Sequence, residues 1–272
     1  AHNFPVLNLN HINIKNEDGV TYLQAMSPVD CLFLDPARRN EHGGKTVAIS
    51  DCEPNVAELE GLLLSKANRI MIKLSPMLDL SQALKELPHT QEVHIISVNN
   101  ECKELLLLLG QTAPEEIPVH CVNLSTKGEQ EKQLFVFTRE QEQHSECSYT
   151  DTLGNYLYEP NASLLKAGAF RSIAAAYSVK KLHPNSHLYT SETQIEGFPG
   201  RTFRIINRCS LNKKEIKENL SDLKKANITV RNFPATVAEL RKRIKLAEGG
   251  DTYLFASTLN DGQKILIRCG KV

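Results

Sequence analysis

The sequence predicts an α/β protein, with a mainly parallel, doubly wound sheet followed by smaller α+β modules. Three observations carry that prediction. Across residues 12–139 short apolar runs alternate with helical patterns, which implies right-handed crossovers between parallel strands. Across residues 201–272 the order changes to β-α-β-α-β-β. The charge changes with it: residues 201–272 hold 16 Lys+Arg and 7 Asp+Glu, residues 1–200 hold 16 and 25, and the two balances cancel.

The elements follow in order. HINIKN reads as a short strand, and DGVTYLQAM opens a helix. VDCLFLD is a strand, followed by a Gly-rich HGGKT loop and a short VAI run. In SDCEPNVAELEGLLLSKAN, Ser50 or Asp51 is expected to cap a helix, with Pro54 in its first turn and Leu59, Leu62 and Leu63 on its apolar face. RIMIKLS is a strand and DLSQALKEL a helix capped by Asp79 or Ser81. EVHIISV is a strand, and ECKELLLLLG reads as a helix ending at Gly110. IPVHCVNLS and QLFVFTR form a last hairpin around TKGEQEK, giving an antiparallel edge strand. REQEQHSE is a polar link, a helix starts near Pro160 or Asn161, and HPNSHLYTSET is a loop and a short strand. In the tail, RTFRIINRC and ITVRNF are strands, and NKKEIKENLSDLKKA and TVAELRKRIKLAEGG are helices. TYLFASTLNDGQKILIRCG is a hairpin turning at Asn260-Asp261-Gly262, with both helices expected on one sheet face.

Composition excludes several classes. At 41% hydrophobic and 24% charged, the 272 residues are those of a globular chain, and no apolar run approaches bilayer length. The stretch AHNFPVLNLN lacks the basic and apolar regions of a secretion signal. The seven cysteines are scattered without a CxxC pair, which fits reduced core thiols in a cytoplasmic protein. The nine histidines show no HExxH spacing, and no metal site is expected.

The stretch VDCLFLDPARR raises the functional question. In open parallel sheets ligands sit outside the carboxyl ends of the strands, where this strand places Asp35. Pro36 restricts Asp35 to extended geometry and has no N–H of its own, which holds the acid at the rim. Arg38 and Arg39 are suited to phosphate or to stacking on a base. On the tail, Lys213, Lys214, Lys217, Lys224 and Lys225 are expected on one helix, and Arg241, Lys242, Arg243 and Lys245 on the other. These residues cannot all share one face, and few aromatics intersperse them, which favours phosphate recognition over base stacking.

DPARR resembles the (D/N)PP(Y/F/R)-type motif of class I S-adenosylmethionine-dependent methyltransferases. With IMIKLSPMLDL, YLYEPNASLLKAGAF and the basic GRTFRIINRC…ILIRCGKV tail, nearly the whole chain is similar to a bacterial family of such enzymes ending in a THUMP-like domain. The resemblance implies a partial Rossmann-like methyltransferase domain over residues 1–139. A small α+β, ferredoxin-like domain is implied over 140–200, and a basic THUMP-like domain over 201–272. It implies S-adenosyl-L-methionine as cofactor and RNA, tRNA or rRNA, as partner. It places Asp35, Pro36, Arg38 and Arg39 in the catalytic loop and Asp18 and Gly19 at the adenine. Lys73, Ser75 and Pro76 are implied to line the same rim. Asp18 is equally suited to a plain helix cap.

Two features depart from the family pattern. Ala37 and Arg38 stand where amino-methylating enzymes carry a second proline and an aromatic that sandwiches a flipped base. No GxGxxG or GxGxG occurs, so the chain reads as a C-terminal portion that begins inside the methyltransferase domain and is inactive alone. The alternative is a non-catalytic RNA-binding or assembly protein that keeps the fold. The missing dinucleotide fingerprint counts against an NAD-dependent enzyme.

Overall fold

The computed structural model of the protein describes residues 3–9, 11–38, 48–126 and 132–272. They fall into two units, Ala1–Gln91 with Leu106–Pro114, and Glu92–Leu105 with Glu115–Val272. The HGGKT loop, the first residue of the VAI run and residues 127–131 of the charged hairpin lie outside the described residues.

The first unit begins with a short helix, α1 (Asn3–Val6), and then α2 (Gly19–Ala25). The HINIKN stretch is not a strand. Ile12 and Ile14 are exposed, and with no ladder to join, alternation alone does not hold an extended segment. Asp18 caps α2, and the Nζ of Lys66 donates to the carbonyls of Gln24 and Met26 at its other end. The strand β1 (Val29–Leu34) leads into β2 (Ala37–Arg38), which pairs antiparallel with β3 (Cys52–Glu53). Helix α3 (Val56–Lys66) is capped by Asn55, whose Oδ1 accepts from the Ala57 amide. The cap therefore falls later than Ser50 or Asp51, and Pro54 stands before it; Ser50 and Asp51 belong to a short 3-10 turn. Leu63 is fully buried, Leu59 and Leu62 only half-buried. Next come β4 (Ala67–Leu74) and α4 (Leu80–Glu86), the latter capped by Asp79. Strands β1 and β4 are parallel, with Leu34 opposite Ile72.

The leucine run is the largest departure from the sequence reading. β5 (Thr90–Val98) turns through Asn99 and Asn100 into β6 (Glu101–Leu109), a strand and not a helix. Both asparagines have positive φ, 51° and 64°, the signature of a two-residue primed hairpin turn that asparagine tolerates better than most residues. Leu105, Leu107 and Leu109 are buried and the residues between them half-buried, a period of two that the uniform run conceals. The strands β7 (Pro118–Leu124) and β8 (Lys132–Thr138) follow; β7 is parallel to β5, and β8 is its antiparallel edge partner. The sheet order is β1-β4-β6-β5-β7-β8.

The polar link is a short helix, α5 (Arg139–His144), with a Thr138/Gln141 capping box. After β9 (Tyr156–Pro160), Asn161 caps α6 (Ala162–Ala167); Gly168, at φ 77°, ends it, and α7 (Phe170–Tyr177) begins anew. The strands β10 (Lys180–Lys181) and β11 (Tyr189–Ser191) complete this stretch. The tail holds β12 (Gly200–Cys209), α8 (Lys213–Leu220), β13 (Asn227–Arg231), α9 (Val237–Ile244), β14 (Thr252–Thr258) and β15 (Lys264–Lys271), in the expected order.

All seven strands β9 to β15 belong to one sheet, ordered β10-β11-β9-β12-β15-β14-β13. One face packs α8 and α9 through Leu220, Leu240, Leu254 and Leu266, so both helices do share a face. The other buries Leu157, Phe203, Phe255 and Ile267. The two ends of the strand order meet over that second face: Asn232 lies 2.9 Å from His183, and Arg231 of β13 reaches Glu159 of β9. All seven cysteines are free; Cys31 is exposed, and burial raises the Cys269 thiol to about 12. No helix among the described residues is long and apolar enough to cross a membrane.

Candidate functional site

Because β1 and β4 run parallel with Leu34 opposite Ile72, Asp35, one residue beyond β1, falls beside Lys73, the penultimate residue of β4. The two side chains meet there, with Nζ 2.6 Å from Oδ2. Their side chains are 53% and 30% exposed, so the pair is solvated and contributes little stability. It biases the carboxylate toward β4. Beside Asp35 lies a cavity of about 390 Å³ lined by Gly19, Leu32, Leu34, Pro36, Pro54 and Leu63, among others. That size and apolar lining suit a flat ring.

The structure thus brings Gly19, Asp35, Pro36 and Lys73 to one rim. Asp18 lines a neighbouring cavity of about 350 Å³ with Gly19, Glu53, Asn55 and Glu58. Its carboxylate accepts from the Thr21 amide at 2.8 Å and hydroxyl at 2.9 Å, and the amide hydrogen bond holds it below the usual range. Asp18 is therefore a helix cap. Ser75 accepts from the Met77 amide and closes a turn. Arg38 joins β2 through its backbone, and Arg39 lies outside the described residues.

The basic tail separates into two kinds of residue. Lys213, Lys214, Lys217, Lys242 and Lys245 are exposed. Arg241 donates weakly to the Ala226 carbonyl and lies 3.7 Å from Glu248, and Arg243 donates to the Leu211 carbonyl at 2.7 Å, so both arginines tie the module together. Helix α8 ends at Leu220, which leaves Lys224 and Lys225 on the following loop and not on the helix. The chain breaks there because Leu223 and Ala226 turn inward to the helix-side core.

Sequence reading missed two constellations in the second unit. A cleft of about 580 Å³ is lined by Asn99, Asn100, Asn123, Gln133, Asn161 and Arg201, among others. Its amides are interlocked: Asn123 and Asn161 both donate to Gln133 Oε1, and Asn123 Oδ1 accepts from the Asn100 amide. The Asn-Asn pair between two apolar runs was the available signal, hidden by reading the second run as helix. The other constellation is Glu92, His94 and His120, gathered on one sheet face by the β5–β7 register. Burial and the neighbouring His94 lower the His120 pKa.

The fold and these sites define an α/β chain with a cavity beside the ends of two parallel strands and a basic α+β tail. Residues 156–199 match a family model described as a ferredoxin-like domain, and residues 200–271 match one described as THUMP domain-like. No curated protein matches the sequence. A solved structure does: a "putative methyltransferase" from Porphyromonas gingivalis, 40% identical, with a TM-score of 0.90, covering 100% of this chain and 68% of that one. At that identity and coverage, the chain belongs to the same family as the Porphyromonas protein.

Proposed function

We propose that this chain serves S-adenosyl-L-methionine-dependent methylation of RNA, tRNA or rRNA, with Asp35 at the reacting end. The observation that carries the reading is the Asp35–Lys73 pair at adjacent parallel strand ends, beside the apolar cavity that Gly19 and Pro36 also line. The similarity to a protein described as a methyltransferase and the THUMP-like tail support it.

The cavity fits the adenine portion of the cofactor: Leu32, Leu34, Pro54 and Leu63 supply flat apolar contact, and a Cβ on Gly19 would meet nothing within 4 Å. Bound there, the cofactor supplies an electrophilic methyl carbon on a sulfonium. The protein's task is then positioning. Asp35 accepts a hydrogen bond from the acceptor's N–H and orients its lone pair, while Lys73 keeps the carboxylate in one rotamer. Pro36 holds the backbone at the rim, and the exposed tail lysines engage phosphates away from the reacting group.

The test is transfer of labelled methyl groups to cellular RNA by the full-length gene product. Asp35→Ala is expected to abolish transfer with the circular dichroism spectrum unchanged, because the side chain stands at a rim. Wild-type transfer by that variant overturns the role of Asp35. RNA binding without transfer by the unmodified protein favours a non-catalytic RNA-binding protein.

A further inference from the structure

We propose that Glu92, His94 and His120 form a binding site for one divalent transition-metal ion, zinc by the chemistry of its donors. Glu92 and His94 are two residues apart on β5 and so project from the same face. His120 lies directly opposite His94 on parallel β7. The three side chains are held by two paired strands and not by a loop, so their spacing is set by backbone hydrogen bonds.

The side chains bring three ligand atoms together. The two imidazoles stack with centroids 4.4 Å apart and planes 7° from parallel. Their Nε2 atoms lie 3.1 Å (His94) and 3.9 Å (His120) from the same Glu92 Oε2. The three ligand atoms all fall within 4.8 Å of one another. Tetrahedral zinc, with bonds of about 2.0–2.2 Å to nitrogen and carboxylate oxygen, needs ligand atoms roughly 3.3 Å apart. Binding one ion also requires the two rings to turn out of their stack so that both Nε2 lone pairs aim at one point, and side chains 26–44% exposed have room to do so.

Without an ion the cluster is only half satisfied. His94 donates to Glu92 when its Nε2 carries the proton, but His120, at 3.9 Å, is beyond hydrogen-bonding range. A cation accepts all three lone pairs at once. Two imidazoles and one carboxylate leave at least one coordination position for water or a ligand oxygen, and partial exposure gives access to it. An all-oxygen ion such as magnesium is disfavoured by the two nitrogens.

The experiment uses the whole chain, stripped with a chelator, then titrated with zinc and, separately, with cobalt(II) as a spectroscopic probe. Stoichiometric zinc binding is expected, with His94→Ala, His120→Ala and Glu92→Gln each weakening it roughly tenfold or more. His120→Gln, which keeps the side chain's bulk, serves if His120→Ala does not fold. Cobalt absorption is expected without a sulfur-to-metal charge-transfer band. Unchanged affinity in the folded variants, a thiolate band, or no stoichiometric binding overturns the site.

Discussion

Glu159 offers a direct test of how the second sheet is held together. It is 1% exposed, yet it is a carboxylate. Its cross-strand partner Arg201 contacts Oε2 through Nε at 2.9 Å and through Nη2, and Arg231 reaches Oε1 through Nη2 at 2.9 Å. The two guanidinium side chains are 40% and 37% exposed. The burial is therefore one-sided. Removing both arginines leaves a desolvated anion, which costs about 3–5 kcal/mol. Removing the acid leaves two cations that water already reaches, and that cost, discounted for solvent screening, is about 1–2 kcal/mol. Arg201→Met with Arg231→Met is thus expected to destabilise more than Glu159→Ala does, since methionine keeps much of the apolar stem. In a Glu159→Ala background the same two changes should cost under about 1 kcal/mol, because the charge they left stranded is gone. Urea unfolding followed by circular dichroism suits a chain with no tryptophan. The reasoning fails if Glu159→Ala is the more damaging change, or if the three substitutions are additive.

Two further outcomes are expected. RNA binding by the whole chain should weaken with salt at a log–log slope of roughly −3 to −4, from about 0.7 for each of four to six phosphates engaged on a single strand. Changing the exposed Lys213, Lys214 and Lys217 to alanine should reduce that slope by up to about 2 for all RNA sequences alike, whereas a flat salt response in filter binding means the lysines are only solvated. The second outcome concerns His187, whose pKa is lowered from 6.5 to about 4 by burial first and then by the Lys181 and Arg231 charges. Between those values the unfolded chain binds a proton that the folded chain refuses, so His187 favours unfolding progressively as pH falls from 6.5 toward 4. His187→Asn, which suits the positive φ of 52°, should flatten the stability profile in that window; an unchanged profile counts against the assignment.

What was legible in the sequence was local. Asp79, Asn161 and the Asn260-Asp261-Gly262 turn stand where their own side chains and backbone needs put them, and VDCLFLD is a strand because its aliphatic run ends at a proline. The leucine run failed for the complementary reason. Five consecutive leucines carry no period, and their helix propensity is real. The decision lay with Asn99 and Asn100, whose turn commits the next residues to lie back along β5. Leucine buried on alternate positions is then as good a strand residue as valine.

The same logic explains which sites were visible. Asp35 can be proposed from the sequence because one strand's end is a place that a single segment defines. Its partner Lys73 was named as a rim residue, but the ion pair between them depends on the β1–β4 register. Glu92, His94 and His120 were invisible because ligand-spacing rules search within one element, and this triad is completed by a neighbouring strand 26 residues further along. A parallel pair fixes such a partner as firmly as a helical turn fixes i and i+4, but the offset depends on the length of the crossover. In this chain a helical crossover sets Asp35 beside Lys73, whereas the β6 hairpin return sets His94 beside His120. Chemistry assembled across parallel strands is therefore written in the lengths of the connections as much as in the residues themselves.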